Sequence, residues 1–85
     1  MRFDALVEVR LRAGIADPAG ATIQAALPAL GFEGIDQVRM GKAVRLCIEA
    51  PDEVHARSKV GELCRRLLAN PVIEETEVRI TESVP

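Results

Sequence analysis

The sequence predicts an α+β fold: a ferredoxin-like βαββαβ sandwich, with a four-stranded antiparallel sheet and two helices on one face. Three observations point there. Apolar and polar residues alternate with period two near both ends of the chain and again in its middle. Two other segments carry their apolar residues at helical spacing instead. Gly, Pro, Asp and Asn punctuate the joins between these segments.

In the first strand, Phe3, Ala5, Val7, Val9 and Leu11 fall on one face, with Asp4, Glu8 and Arg10 on the other and Leu6 as the exception. Gly14 breaks this pattern, and Asp17-Pro18 starts a helix. Asp caps free backbone N–H groups, and Pro suits the first helical position because its missing donor would be unpaired anyway. Ile23, Ala26, Leu27 and Leu30 then form one apolar stripe, and Gly31 supplies a left-handed stop. Pro28 deletes the bond to the Gln24 carbonyl, which predicts a kink or a distorted last turn.

Ile35 to Met40 reads as a short, weakly patterned strand. Gly41-Lys42 makes a hairpin turn, and Ala43 to Ala50 is a strand with Val44, Leu46, Ile48 and Ala50 inward. Pro51-Asp52 opens a second helix whose stripe is Val60, Leu63, Cys64, Leu67 and Leu68, preceded by Val54. It is expected to end at Asn70-Pro71, with Asn in the left-handed cap conformation and Pro unable to continue. Thr76, Val78 and Ile80 alternate with Glu75, Glu77 and Arg79 in a final strand, and residues 81–85 read as a frayed tail. Residues 1–85 form a single domain, since two cores cannot share so short a chain.

Composition removes most functional classes. Hydrophobic residues are 48% and charged residues 28%, an ordinary globular balance that argues against disorder. No apolar run approaches the roughly 18 residues of a membrane span, and the N-terminus lacks a secretory signal, so the expected compartment is the cytoplasm. The net charge of −2 argues against a nucleic-acid footprint. Aromatic residues are 2%, with Phe3 and Phe32 alone, which excludes a base-stacking platform. A chain of 85 residues also has a thin core, for which an association surface is useful.

Candidate chemistry is sparse. With both helices on one face, the other would carry Asp4, Leu6, Glu8, Arg10, Arg45, Cys47, Glu49, Glu75, Glu77 and Arg79, a mixed-sign surface that reads as solvated and laced with ion pairs. An RNA reader needs aromatics there and none is present. Cys47 faces outward from a strand and Cys64 inward from a helix, so no single soft metal ion joins them, and both read as reduced structural thiols. His55, the sole His, sits in the first turn of the second helix and suits a surface role better than a catalytic base. Arg39 and Gly41-Lys42 lack the phosphate-loop context that would make them an anion site. No acid, base and oxyanion stabiliser converge, so no catalytic residue, metal or bound cofactor is expected, and the chain reads as a domain that works by contact.

Three segments together are more specific. Gly14-Ile15-Ala16-Asp17-Pro18-Ala19-Gly20 precedes a helix closing in Leu30-Gly31-Phe32. Val38-Arg39-Met40-Gly41-Lys42 follows, and then Leu67-Leu68-Ala69-Asn70-Pro71-Val72-Ile73-Glu74. In order and spacing, from the first strand to about Ile80, the chain resembles the PurS family, the small subunit of phosphoribosylformylglycinamidine synthase in de novo purine biosynthesis. Ala16 and Ala19 stand where that family usually carries Leu and Gln. The resemblance implies an assembly subunit without an active site of its own. Its expected partners are a second copy of itself, a glutaminase subunit (PurQ) that releases ammonia, and a synthetase subunit (PurL) that uses ATP to activate the amide of formylglycinamide ribonucleotide. ATP and glutamine would then be used by the partners, and neither nucleic acid nor membrane would be involved. Asp17, Pro18, Gly20, Arg39, Gly41, Lys42, Asn70 and Pro71 carry over as motif positions and candidate partner contacts. The competing reading is a small ligand-sensing regulatory domain of the same fold; an acylphosphatase-like enzyme lacks the expected Arg-bearing anion loop.

Overall fold

Strict alternation makes residues 2–11 a strand, and its position in the sheet makes it central. A computed structural model describes residues 1–84. Strand β1 (Arg2–Leu11) lies between β2 (Gly41–Glu49) and β3 (Glu74–Glu82), antiparallel to both, in the order β2-β1-β3. Val7 sits opposite Val44 on one side and Val78 on the other. The odd-numbered residues Phe3, Ala5, Val7 and Val9 all point to one buried face.

Helix α2 (Glu53–Leu63) covers that face through Ala56 and Val60, with Cys64 continuing the row one turn on; Ala50 and Ile80 complete the core. Spacing of four residues puts Ala56, Val60 and Cys64 on one side of the helix. Asp52 caps α2, accepting the His55 N–H at 2.8 Å. No polar or charged residue is buried among the described residues, so the core carries no desolvation penalty from an unpaired group.

Helix α1 (Pro18–Ala26) begins where Asp17-Pro18 places it and ends early. Pro28 cannot donate to Gln24, and the Leu27 N–H takes that carbonyl at 3.3 Å instead. A 3₁₀ turn, Pro28–Leu30, follows, and Gly31 at φ 85° stops it in the left-handed region. The distorted last turn is thus observed.

Several expectations change. The sheet has three strands, not four, because residues 35–40 are not a strand. Gly34 (φ 73°) and Gln37 (φ 53°) turn the backbone left-handed there, and the Val38 and Met40 N–H groups bond to side chains of the preceding segment rather than to a neighbouring strand. Gly41-Lys42 is no hairpin turn: both residues lie within β2, opposite Arg10 and Val9. Residues 12–40 are therefore one long connection between two adjacent antiparallel strands.

The two helices do not share the sheet face either. α2 packs on it, while α1 buries only Gly20 and makes its main contact with the 3₁₀ turn that follows. The molecule is accordingly long, 51 × 31 × 15 Å, with a radius of gyration of 16.5 Å. A compact chain of this length would give about 12 Å.

Two smaller corrections concern α2 and the C-terminus. Cys64–Leu68 forms a π turn, closed by the Ala69 N–H on the Cys64 carbonyl at 3.0 Å. The wider turn rotates the stripe, so Leu68 and Ala69 pack on the core while Leu67 is 75% exposed; Val54, in the first turn of α2, is also exposed and does not join the stripe. Asn70 is not left-handed; Gln37 is the one non-Gly residue with positive φ among those described. Strand β3 continues through Thr81 and Glu82, and the Ser83 N–H bonds the Arg2 carbonyl at 2.9 Å, so the tail is tied down that far. Pro85 lies outside the described residues.

Candidate functional site: the loop end of the sheet

The end of β1 and the starts of β2 and β3 meet at one end of the sheet, where Arg10 pairs with Gly41 and Leu11 with Glu74. Every predicted contact residue belongs to this end. Asp17, Pro18, Gly20 and Arg39 form the root of the 12–40 arm, Gly41 and Lys42 start β2, and Asn70-Pro71 lead into β3.

Asp17 organises the root. Its Oδ1 accepts the Gly20 N–H at 2.9 Å and its Oδ2 accepts the Met40 N–H at 2.7 Å, while the Arg39 Nε stands 3.9 Å away. The side chain is only 6% exposed. The Gly20 N–H, then the Met40 N–H and finally the Arg39 charge all favour the carboxylate, and they hold its pKa below the ordinary value. Gly20 has to be Gly: a Cβ there would stand 2.6 Å from both Asp17 Oδ2 and the Val38 carbonyl. Gln24 Oε1 accepts the Val38 N–H at 3.0 Å, and Arg39 donates to the Ile15 carbonyl at 3.2 Å. Outgoing and returning chain are thereby laced together.

Glu74 organises the neighbouring corner. Its Oε1 accepts the Asn70 N–H at 2.7 Å, and Lys42 reaches across β1 to within 3.7 Å of its Oε2. Asn70 Oδ1 in turn accepts the Val72 N–H at 3.1 Å, an Asx turn that replaces the expected left-handed cap. Arg12 grips the same turn through two bonds to the Pro71 carbonyl, at 3.1 and 3.0 Å. Gly41 permits the close approach of β2 to β1 where their pairing begins, since a Cβ would lie 2.8 Å from the Val9 carbonyl.

Arg12, Gln24 and Glu74 do much of this positioning and were not among the predicted residues. For Glu74 a signal existed. It shares the inward parity of Thr76, Val78 and Ile80, and Lys42 shares that of Val44, Leu46 and Ile48. Two opposite charges at inward positions at the same end of a sheet point to each other. No such pattern marks Arg12 or Gln24, whose hydrogen bonds go to backbone groups.

The arrangement suits contact, not bond making. Its carboxylates are engaged by N–H donors and its cations by carboxylates and carbonyls. Elsewhere, Cys47 lies exposed on the open face, its thiol 3.2 Å from Asp4 Oδ1, and Cys64 is buried on the opposite side. His55 Nδ1 is 2.8 Å from Asp52 at the start of α2. Among the described residues, no group of three or more His, Cys, Asp or Glu is placed to hold a metal ion, and no helix is long and apolar enough to cross a membrane. The strand register puts the charged residues of the three strands on the open sheet face as expected, and pairs such as Arg10–Glu77 (3.1 Å) and Arg2–Glu49 (3.7 Å) lace it.

Comparison with known proteins gives one consistent result. The model of the PurS family, described as phosphoribosylformylglycinamidine (FGAM) synthase, matches residues 4–82. The phosphoribosylformylglycinamidine synthase subunit PurS of Synechocystis is 45% identical over 75 residues, 88% of this chain and 75% of the relative. The crystal structure of Methanocaldococcus jannaschii PurS superposes with a TM-score of 0.86 at 35% identity, covering 96% of this chain and 99% of that one. A chain in the structure of PurLQS from Thermotoga maritima gives a TM-score of 0.88 at 34% identity, covering 95% and 99%. With the family model matching residues 4–82 and relatives similar over most of its length, the chain belongs to the PurS family of phosphoribosylformylglycinamidine synthase subunits.

Proposed function

We propose that this chain is the non-catalytic assembly subunit of a phosphoribosylformylglycinamidine synthase in de novo purine biosynthesis, acting as paired copies in the cytoplasm. It joins a glutaminase subunit (PurQ) to an ATP-dependent synthetase subunit (PurL), so that ammonia freed from glutamine reaches the activated amide without escaping to solvent. The chain itself carries no cofactor; ATP and glutamine belong to the partners. One observation supports this most strongly. All the motif residues gather at the loop end of the sheet, where they are spent on holding backbone in place rather than on a reactive centre. Loops fixed in this way present a rigid surface at little ordering cost on binding. Asp17, Pro18, Gly20, Arg39, Gly41, Lys42, Asn70 and Pro71 are the candidate contacts on that surface.

Reconstitution tests the reading. Amidine synthesis is measured with glutamine and, separately, with ammonia, in mixtures of the two large subunits with and without this chain. Adding the chain is expected to raise the glutamine-dependent rate much more than the ammonia-dependent one. An equal glutamine-dependent rate in its absence rejects the assembly role.

A further inference from the structure

A subunit that joins two larger proteins needs two separate surfaces, and the loop end of the sheet supplies one. The open face of the sheet carries a candidate for the second. Alternation puts polar residues on that face, yet the central strand places Leu6 there, the one large apolar side chain among the described residues of the face. The register sets Arg45 of β2 opposite Leu6 on one side and Arg79 of β3 opposite it on the other. Leu6 is half-buried, and both arginines are exposed. Their Cα atoms stand two strand spacings apart, roughly 10 Å.

Charge separates this row from the rest of the face. Arg2 pairs with Glu49 at 3.7 Å, and Arg10 with Glu77 at 3.1 Å and Glu8 at 3.4 Å. In the next row Asp4 accepts from the Cys47 thiol at 3.2 Å and the Ser83 hydroxyl at 2.9 Å. Arg45 joins no ion pair among the described residues. Arg79 has Glu77 at 3.7 Å, which Arg10 holds more closely. Positive charge is therefore left over around an apolar centre. With Cys47 and Thr81 the row lines a depression that lies open on the sheet face. A small ligand there would stay largely in water, whereas ligand pockets bury most of their occupant. A protein surface covers the row whole. Its apolar side chain takes Leu6 out of water, and its carboxylates accept paired bonds from the guanidinium groups on either side.

We propose that the Arg45–Leu6–Arg79 row is a second docking surface, and that its occupant is a face of one of the two large subunits that presents carboxylates around an apolar side chain. The proposal rests on the reading that the chain assembles those subunits, and it assigns the open sheet face to the partner that the loop end does not hold.

Sedimentation of the chain mixed with each large subunit, with ATP and glutamine present, tests it. The variants are Arg45→Glu with Arg79→Glu, and Leu6→Ser. Each is expected to weaken binding to one large subunit about tenfold or more, with the other affinity and the circular dichroism spectrum unchanged. Wild-type affinity for the affected subunit is expected to fall as salt is raised, and the charge-reversed variant is expected to lose that dependence. If the arginine stems serve only to cover Leu6, the variants shift the melting temperature and leave both affinities in place, which overturns the proposal. A wild type that binds while both variants bind equally well removes this row and leaves the assembly role standing. A wild type that binds neither large subunit rejects both. Calorimetry in which inorganic phosphate binds the wild type but not the Arg45→Glu, Arg79→Glu variant, with partner affinities unchanged, makes the row a small-anion site and overturns docking.

Discussion

Asp17 shows how much one short side chain can organise. As a cap to α1 it was legible from Asp17-Pro18, because the need for an acceptor at a helix start is local. Its second bond, to the Met40 N–H, was not, since the two residues meet only once the arm has closed. The pH dependence follows from those bonds. The carboxyl titrates lower when folded than its ordinary value of 3.8. Stability from the carboxylate is then complete above the unfolded value and is lost as pH falls through the lower folded one. Asp4, held down by the Cys47 thiol and then Ser83, and Asp52, held down by His55, act with the same sign at their own corners. Hydrogen exchange at the Gly20 and Met40 amides, corrected for intrinsic rate, is the check. Their protection in the wild type should fall as pH drops below 3.8, whereas in Asp17→Asn the Met40 amide should already be weakly protected at neutral pH.

Elements were legible where their pattern was strict and obscure where it was weak. β1 was read from an alternation spanning the strand, which only one backbone geometry explains. The 35–40 segment carried no such alternation, and Gly34 and Gln37 bend it out of the sheet. In α2 the stripe was right at Val60 and Cys64 and wrong at Leu67, because the π turn inserts its extra residue between them. Denaturant unfolding tests that rotation. Val60→Ala, at a fully buried position, is expected to cost roughly 1–3 kcal/mol. Leu67→Ala is expected to change stability by no more than about 0.5 kcal/mol. Equal losses would mean that Leu67 packs in the core and that the helix continues unwidened.

At the scale of the whole molecule, the proposed connector role rests on how the loop end of the sheet is built. Lys42 illustrates the division between fold and function. Its pair with the partly buried Glu74 is long, at 3.7 Å, and solvated on the Lys42 side, so it is worth only about 1 kcal/mol and Lys42→Ala should leave the melting temperature nearly unchanged. If the loop end meets a partner, the same variant should lower the glutamine-dependent rate of the reconstituted synthase several-fold and spare the ammonia-dependent rate. Equal rates for variant and wild type would remove Lys42 from the contact surface. The motif residues were found in the sequence because turns and caps demand particular side chains wherever they occur. Their convergence at one end of the sheet was not, because it depends on strand order. The sequence by itself determined the strands with strict alternation, the helix starts, the scarcity of reactive groups and the family likeness, all of which rest on local chemistry or on patterns along the chain. Only the tertiary structure decided that the sheet has three strands, that Lys42 spans β1 to Glu74, and that α1 leaves its own sheet half covered. Those outcomes turn on which distant groups take each backbone N–H and each apolar face, a competition that no single segment records.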